Sequence, residues 1–264
     1  MKNIIFILLF VFSLHSCSDF LETNAYDFVS PEQFFQNQND AQMALAGVYS
    51  ALATENVYGN RYSCMISNVD DLSFYVRPAT QTVTHVYGND HNTSNTDIYN
   101  AWSSLYNGIE SANILLERID NADMDDAVKT RIKGEAKFLR AYYHFLVAQA
   151  WKDVPIRKES FKDVSKSALP ATPQAEALDW IISEMEETIG MVDDQIYDDR
   201  PSYVKKTVVE GILARVCLTR AGYPTNGGKP YYEKADMYAK AVKDANKHAL
   251  NPDVYEMWKR MASD

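Results

Sequence analysis

Runs of apolar residues spaced three and four apart constrain this chain more than any other feature. Ile98, Trp102, Leu105, Ile109, Ala112, Leu116 and Ile119 alternate steps of four and three, which places them on one helix face. After a turn at Asn121–Asp125, Val128, Ile132, Ala136, Leu139, Tyr143, Leu146 and Ala150 form a second stripe that stops near Lys152. Leu178, Ile181, Met185, Ile189 and Val192 form a third, following Thr172-Pro173. Ser202 opens a further helix with Val204, Val208, Ile212, Val216 and Cys217 inward, closed by Ala221-Gly222-Tyr223-Pro224. Tyr231, Ala235, Tyr238, Val242, Ala245 and Ala249 mark another, and residues 251–264 begin one more element. Long helices joined by short turns pair as antiparallel hairpins. A hairpin with a partly buried stripe needs a neighbour, so the expected fold is all-α: a tetratricopeptide-like helix-hairpin stack with long irregular loops.

Upstream, Ser30-Pro31-Glu32-Gln33 carries a helix-start signal, and Asn39 and Asp40 offer a cap before Ala41–Leu52. Residues 53–97 keep no period: Tyr, Asn, Asp, Thr and Gly mix, with Pro78 and Gly88 as punctuation. Long irregular segments inside a domain are often functional. Sugar recognition needs a flat apolar face for ring C–H groups and short polar groups for hydroxyls. Tyr75, Arg77, Tyr87, Asn89, Asp90, His91 and Asn92 supply both outside any helical stripe and are the candidate ligand residues; a loop packed on the scaffold or on a partner explains them equally well. A second irregular stretch, Pro155–Ala171, links two helices.

The amino terminus reads as an export signal. Lys2 precedes an apolar run from Ile4 to Leu14, broken only by Ser13, and Ser16-Cys17 follows. A run of that length rises about 16 Å, roughly half a bilayer core, too short to span it. A cysteine directly after the cut can carry acyl chains, and several chains anchor where one binds only marginally. Residues 1–16 are therefore expected to be a lipoprotein signal peptide, Cys17 the lipidated residue, 17–29 a lipid tether and 30–264 a helical domain.

The 26 basic against 36 acidic residues form no basic stripe, so nucleic acid is not an expected partner. Cys64 and Cys217 could pair in an exported protein, but free thiols, at least one of them a small core residue, fit their surroundings better.

Five segments carry a family resemblance. They are Cys17-Ser18-Asp19-Phe20-Leu21, Gly47-Val48-Tyr49-Ser50-Ala51-Leu52, Trp102 through Ile109 with Ala112-Asn113, Gly134-Glu135-Ala136-Lys137-Phe138-Leu139-Arg140-Ala141-Tyr142-Tyr143 running on to Asp153-Val154-Pro155, and Leu213-Ala214-Arg215-Val216-Cys217-Leu218. The chain resembles the N-terminal part of a SusD/RagB-type outer-membrane lipoprotein. That resemblance implies a non-enzymatic, lipid-anchored cell-surface subunit, with Cys17 in its lipobox. Such subunits sit over a TonB-dependent (SusC-like) outer-membrane transporter and capture oligosaccharides or polysaccharides, sometimes peptides. Family members are longer, and their second half carries much of the ligand site. Residues 30–264 are thus expected to form the N-terminal helical domain without its C-terminal half, leaving Val254, Tyr255, Met257 and Trp258 as exposed apolar surface. The alternative is a tetratricopeptide-type scaffold that docks to the transporter or binds peptides and has no sugar site of its own.

Catalysis, a metal and a cofactor find no support. There is no His-Glu-x-x-His, Gly-x-Ser-x-Gly or Cys-x-x-Cys. Asp193-Asp194 and Asp198-Asp199 are adjacent carboxylates on a turn, not a pair across a cleft. Asn121, Asp123 and Asp125 have alternate spacing, but Asp126 stands where a calcium loop needs glycine. His144, Trp102 and Trp151 sit inside the helical motifs and are expected to pack in the core.

Overall fold

Asn37 starts the first described helix. Its side chain accepts from the Asp40 amide at 3.2 Å, two or three residues earlier than the cap expected at Asn39 or Asp40, and α1 runs Gln38–Ala53. The computed structural model describes residues 34–63, 72, 91–163, 168–195 and 202–261. Two units are distinguished, Met1–Phe34 and Phe35–Asp264, and the helices below belong to the second.

A π-helical turn, Glu55–Gly59, follows α1. Next come α2 (Thr96–Arg118), a 3-10 turn (Ile119–Asn121), α3 (Asp126–Trp151), α4 (Gln174–Thr188), α5 (Lys206–Ala221), α6 (Lys229–Asp244) and α7 (Val254–Met261). Caps explain the starts: Asn95 Oδ1 accepts from the amides of Asp97 and Ile98 at 3.0 Å, and Asp125 Oδ1 from those of Ala127 and Val128. Asp194, expected as part of a solvated turn, accepts from the Thr207 amide and hydroxyl at 2.9 Å and so satisfies the start of α5.

Each helix from α1 to α5 packs on the next, and α1 also touches α3. The architecture is the expected all-α hairpin stack; among the described residues there are isolated bridges but no strand. The core is Leu45 and Val48 from α1, Leu105, Ile109 and Leu115 from α2, Ile132, Leu139, Tyr143 and Leu146 from α3, Leu178, Ile181 and Met185 from α4, and Val209, Leu213 and Val216 from α5. Each such side chain stabilises the fold by about 1.5–3 kcal/mol through apolar burial. The crossing of α2 and α3 is close because Gly108 faces Tyr143: a Cβ there would lie 2.7 Å from the ring, which is itself fixed by a 2.6 Å bond from its hydroxyl to the Val48 carbonyl.

Several stripes sit differently from expectation. On α2, Ala101, Gly108 and Leu115 are buried while Trp102 and Leu116 are only half-buried, because the helix is covered from two sides, by α1 and α3. On α5, Val208 is 37 % exposed and Val209 is buried. Val204 precedes the helix, which starts at Lys206, so it could not set the register. Helix α6 ends at Asp244 rather than near Ala249, where Asn246 adopts φ 52 and breaks the helical path. Buried Cys217 is a free thiol, with burial pushing its pKa up to about 11. Val254, Tyr255, Met257 and Trp258 of α7 are exposed, as expected. Among the described residues, no helix is long and apolar enough to cross a membrane.

Candidate functional site

Two buried polar clusters, both rooted on α3, hold the irregular parts of the chain in place. In the first, Glu135 is fully buried; it accepts from the Tyr49 hydroxyl at 2.6 Å and from Arg131 at 2.7 Å. Burial raises its pKa, against the pull of both partners. The Tyr49 oxygen in turn accepts from the Val204 amide at 2.8 Å, so one carboxylate ties α1, α3 and the segment before α5 together.

The second cluster builds a strap. After α3, Lys152 turns the chain with φ 67, and Val154 pairs with Thr172 through two backbone hydrogen bonds. Between them, residues 155–163 lie along α2 and α3. Arg140 donates to Glu184, to Asn113 Oδ1 at 2.9 Å and to the Lys158 carbonyl at 3.0 Å. Asn113 Nδ2 donates to the carbonyls of Arg157 and Glu159. His144 Nε2 accepts from the Arg157 amide at 3.0 Å while Nδ1 donates to the Arg140 carbonyl at 2.9 Å. The ring is therefore neutral, and burial lowers its pKa to about 3. Farther along, Tyr106 donates to the Pro155 carbonyl, the Ser160 amide and hydroxyl donate to Glu117, and the Phe161 amide donates to Glu110 Oε1 at 2.8 Å.

Held this way, the strap and the outer face of α2 enclose a cleft of about 420 Å³, lined by Trp102, Tyr106, Asn107, Glu110, Pro155, Arg157, Phe161, Ala168 and Leu169. A neighbouring hollow of about 370 Å³ runs along the strap and shares Arg157, Phe161 and Leu169 with it. Trp102 and Tyr106, one turn apart on α2, have ring centroids 4.7 Å apart, and Trp102 meets Trp151 edge-on at 5.2 Å. Phe161 is 48 % exposed and Leu169 40 %. The arrangement offers flat apolar faces beside an amide, a carboxylate and a guanidinium. That chemistry suits a ring carrying hydroxyls.

Of the expected ligand residues, His91 and Asn92 are described. Tyr75, Arg77, Tyr87, Asn89 and Asp90, like Cys17, lie outside the described residues. His91 and Asn92 are exposed just before α2, where Asn92 Oδ1 accepts from the Ser94 amide at 2.9 Å. His144 is core, as expected, but Trp102 is not wholly so: it is half-buried and forms a wall of the cleft, because at its place on α2 it faces the strap as well as Trp151. Sequence reasoning missed Phe161 and Leu169, which lie in an aperiodic linker and carry no spacing signal. Asn107 and Glu110 sit three apart beside Trp102 and Tyr106, a shared helix face that could have been noticed. Among the described residues no group of His, Cys, Asp and Glu could hold a metal ion.

Comparison with known proteins bears on this arrangement. Residues 19–218 match the SusD-like family described as starch-binding and associating with the outer membrane. SusD-like protein P25 of Formosa agariphila is 28 % identical over 196 residues, and P38 of the same organism 30 % over 194; each match covers 70 % of this chain and 37 % of the relative. The chain thus spans little more than a third of the length of these relatives. The fold is that of a SusD homolog from Bacteroides thetaiotaomicron (TM-score 0.78, 23 % identity, 88 % of this chain and 45 % of that one). It is also that of a laminarin-binding SusD-like protein (TM-score 0.68, 21 % identity, 78 % and 43 %). With its family match spanning most of the helical stack, the chain belongs to the SusD-like family.

Proposed function

We propose that this chain is part of a non-enzymatic glycan-binding subunit at the outer-membrane surface. It captures oligosaccharide for a TonB-dependent, SusC-like transporter. The observation that carries this reading is the family match across residues 19–218, whose description joins starch binding to the outer membrane. The cleft supports it with aromatic faces and mixed polar groups, and a similarly folded protein is described as laminarin-binding. In this reading Tyr75, Arg77, Tyr87, Asn89, Asp90, His91 and Asn92 contact the glycan, and Cys17 carries the lipid anchor after removal of residues 1–16.

The anchoring part is tested by feeding labelled palmitate to cells that make the full chain. Label should enter the protein and vanish in Cys17→Ala, which should leave the membrane fraction. A Cys17→Ala protein that stays membrane-bound would contradict the anchor. Capture for transport is tested by co-purification with the transporter; a complex that forms but holds no sugar would favour a docking scaffold instead.

A further inference from the structure

Resting on the glycan-binding reading above, we propose that the cleft under the strap is a sugar-binding site in its own right, separate in sequence from residues 75–92. It takes consecutive units of a neutral hexose oligosaccharide, one on each side of Phe161. The two hollows, about 420 and 370 Å³, share Arg157, Phe161 and Leu169 in their walls, so Phe161 borders both. Each falls within the size range of small-ligand sites, roughly 300–1,000 Å³.

The walls specify the ligand class. The half-exposed Phe161 ring gives a face for the C–H side of a pyranose, and Trp102 and Tyr106, with centroids 4.7 Å apart, add apolar wall. The exposed amide of Asn107 and the carboxylate of Glu110 lie three residues apart on α2 at the rim, suited to adjacent hydroxyls. Charge argues for a neutral ring. Arg157 and Glu110 line the same cleft, so an acidic sugar gains from one and is repelled by the other. Lys158 sits over the Trp180 ring at 5.3 Å, and Lys162 pairs with Glu117 at 3.2 Å.

The site is also preformed. Phe161 is positioned through its amide by Glu110, and the strap behind it by Glu117, Arg140, Asn113 and His144. Little ordering entropy is left to lose on binding.

Isothermal titration of the full chain with maltoheptaose, laminarihexaose and an oligogalacturonate tests the proposal. At least one neutral probe should bind, more tightly than the disaccharide of the same linkage, and the uronate should not. Phe161→Ala should weaken binding about tenfold, the scale of one lost aromatic stacking face. Asn107→Ala, at an exposed position that leaves the packing intact, should weaken it several-fold and keeps the test valid if the first variant folds poorly. Wild-type affinity in both variants, or preference for the uronate, overturns the cleft while the glycan reading stands. Failure of both neutral probes to bind overturns the cleft; the wider reading falls only if polysaccharide retention is also absent.

Discussion

His144 joins sequence, stability and site most directly. Its place inside a helical motif marked it as core, but not its task, which is to accept from the Arg157 amide and hold the strap. An imidazolium cannot accept at Nε2. Burial above all, with Arg140 and Lys158 nearby, moves its pKa from the ordinary 6.5 to about 3. Between those values the unfolded chain binds a proton that the folded chain does not, so the contribution is complete above about pH 6.5 and is lost as pH falls toward 3. From pH 7 to 4.5 this one group should cost about 2–3 kcal/mol of stability. Glu135, whose pKa is raised by burial, works in the opposite sense on acidification. Urea denaturation of wild type and His144→Gln at both pH values isolates the histidine: the variant should lose that part of the slope, and equal slopes would contradict the neutral buried ring.

At the scale of elements, the family segment from Gly134 to Tyr143 is a scaffold device rather than a ligand motif. Glu135 fixes the approach to α5, and Arg140 fixes the strap. Removing Arg140 would leave the nearly buried Glu184 carboxylate without its partner. Arg140→Ala should therefore destabilise the fold by about 3–5 kcal/mol and speed proteolytic cleavage within residues 154–163. A loss under about 1 kcal/mol, the scale of an exposed pair, with unchanged cleavage would show that the strap is held otherwise. Helices were legible because burial repeats with their period; the α2–α3 hairpin and the stop after Ala221 stand where apolar spacing and glycine put them. Registers were less so. Val204 belongs to an extended lead-in, and the end of α6 depends on the backbone of Asn246, which no apolar pattern encodes. The cleft was least legible, since half of its wall comes from an aperiodic strap whose path is set by partners on α2, α3 and α4.

For the whole molecule, the stack is a frame on which irregular segments are tied down, one of them walling a cleft. The fold recurs in a SusD homolog at 23 % identity, so the frame tolerates wide sequence change. The main proposal is that this frame serves to bind glycan without cleaving it. Native affinity electrophoresis of the chain through gels containing soluble starch or laminarin, with chromatographic analysis of the same polysaccharides after incubation, tests it most directly. The account predicts retarded migration in at least one gel and no released oligosaccharide; unretarded migration in both, or release of shorter sugars, would contradict it.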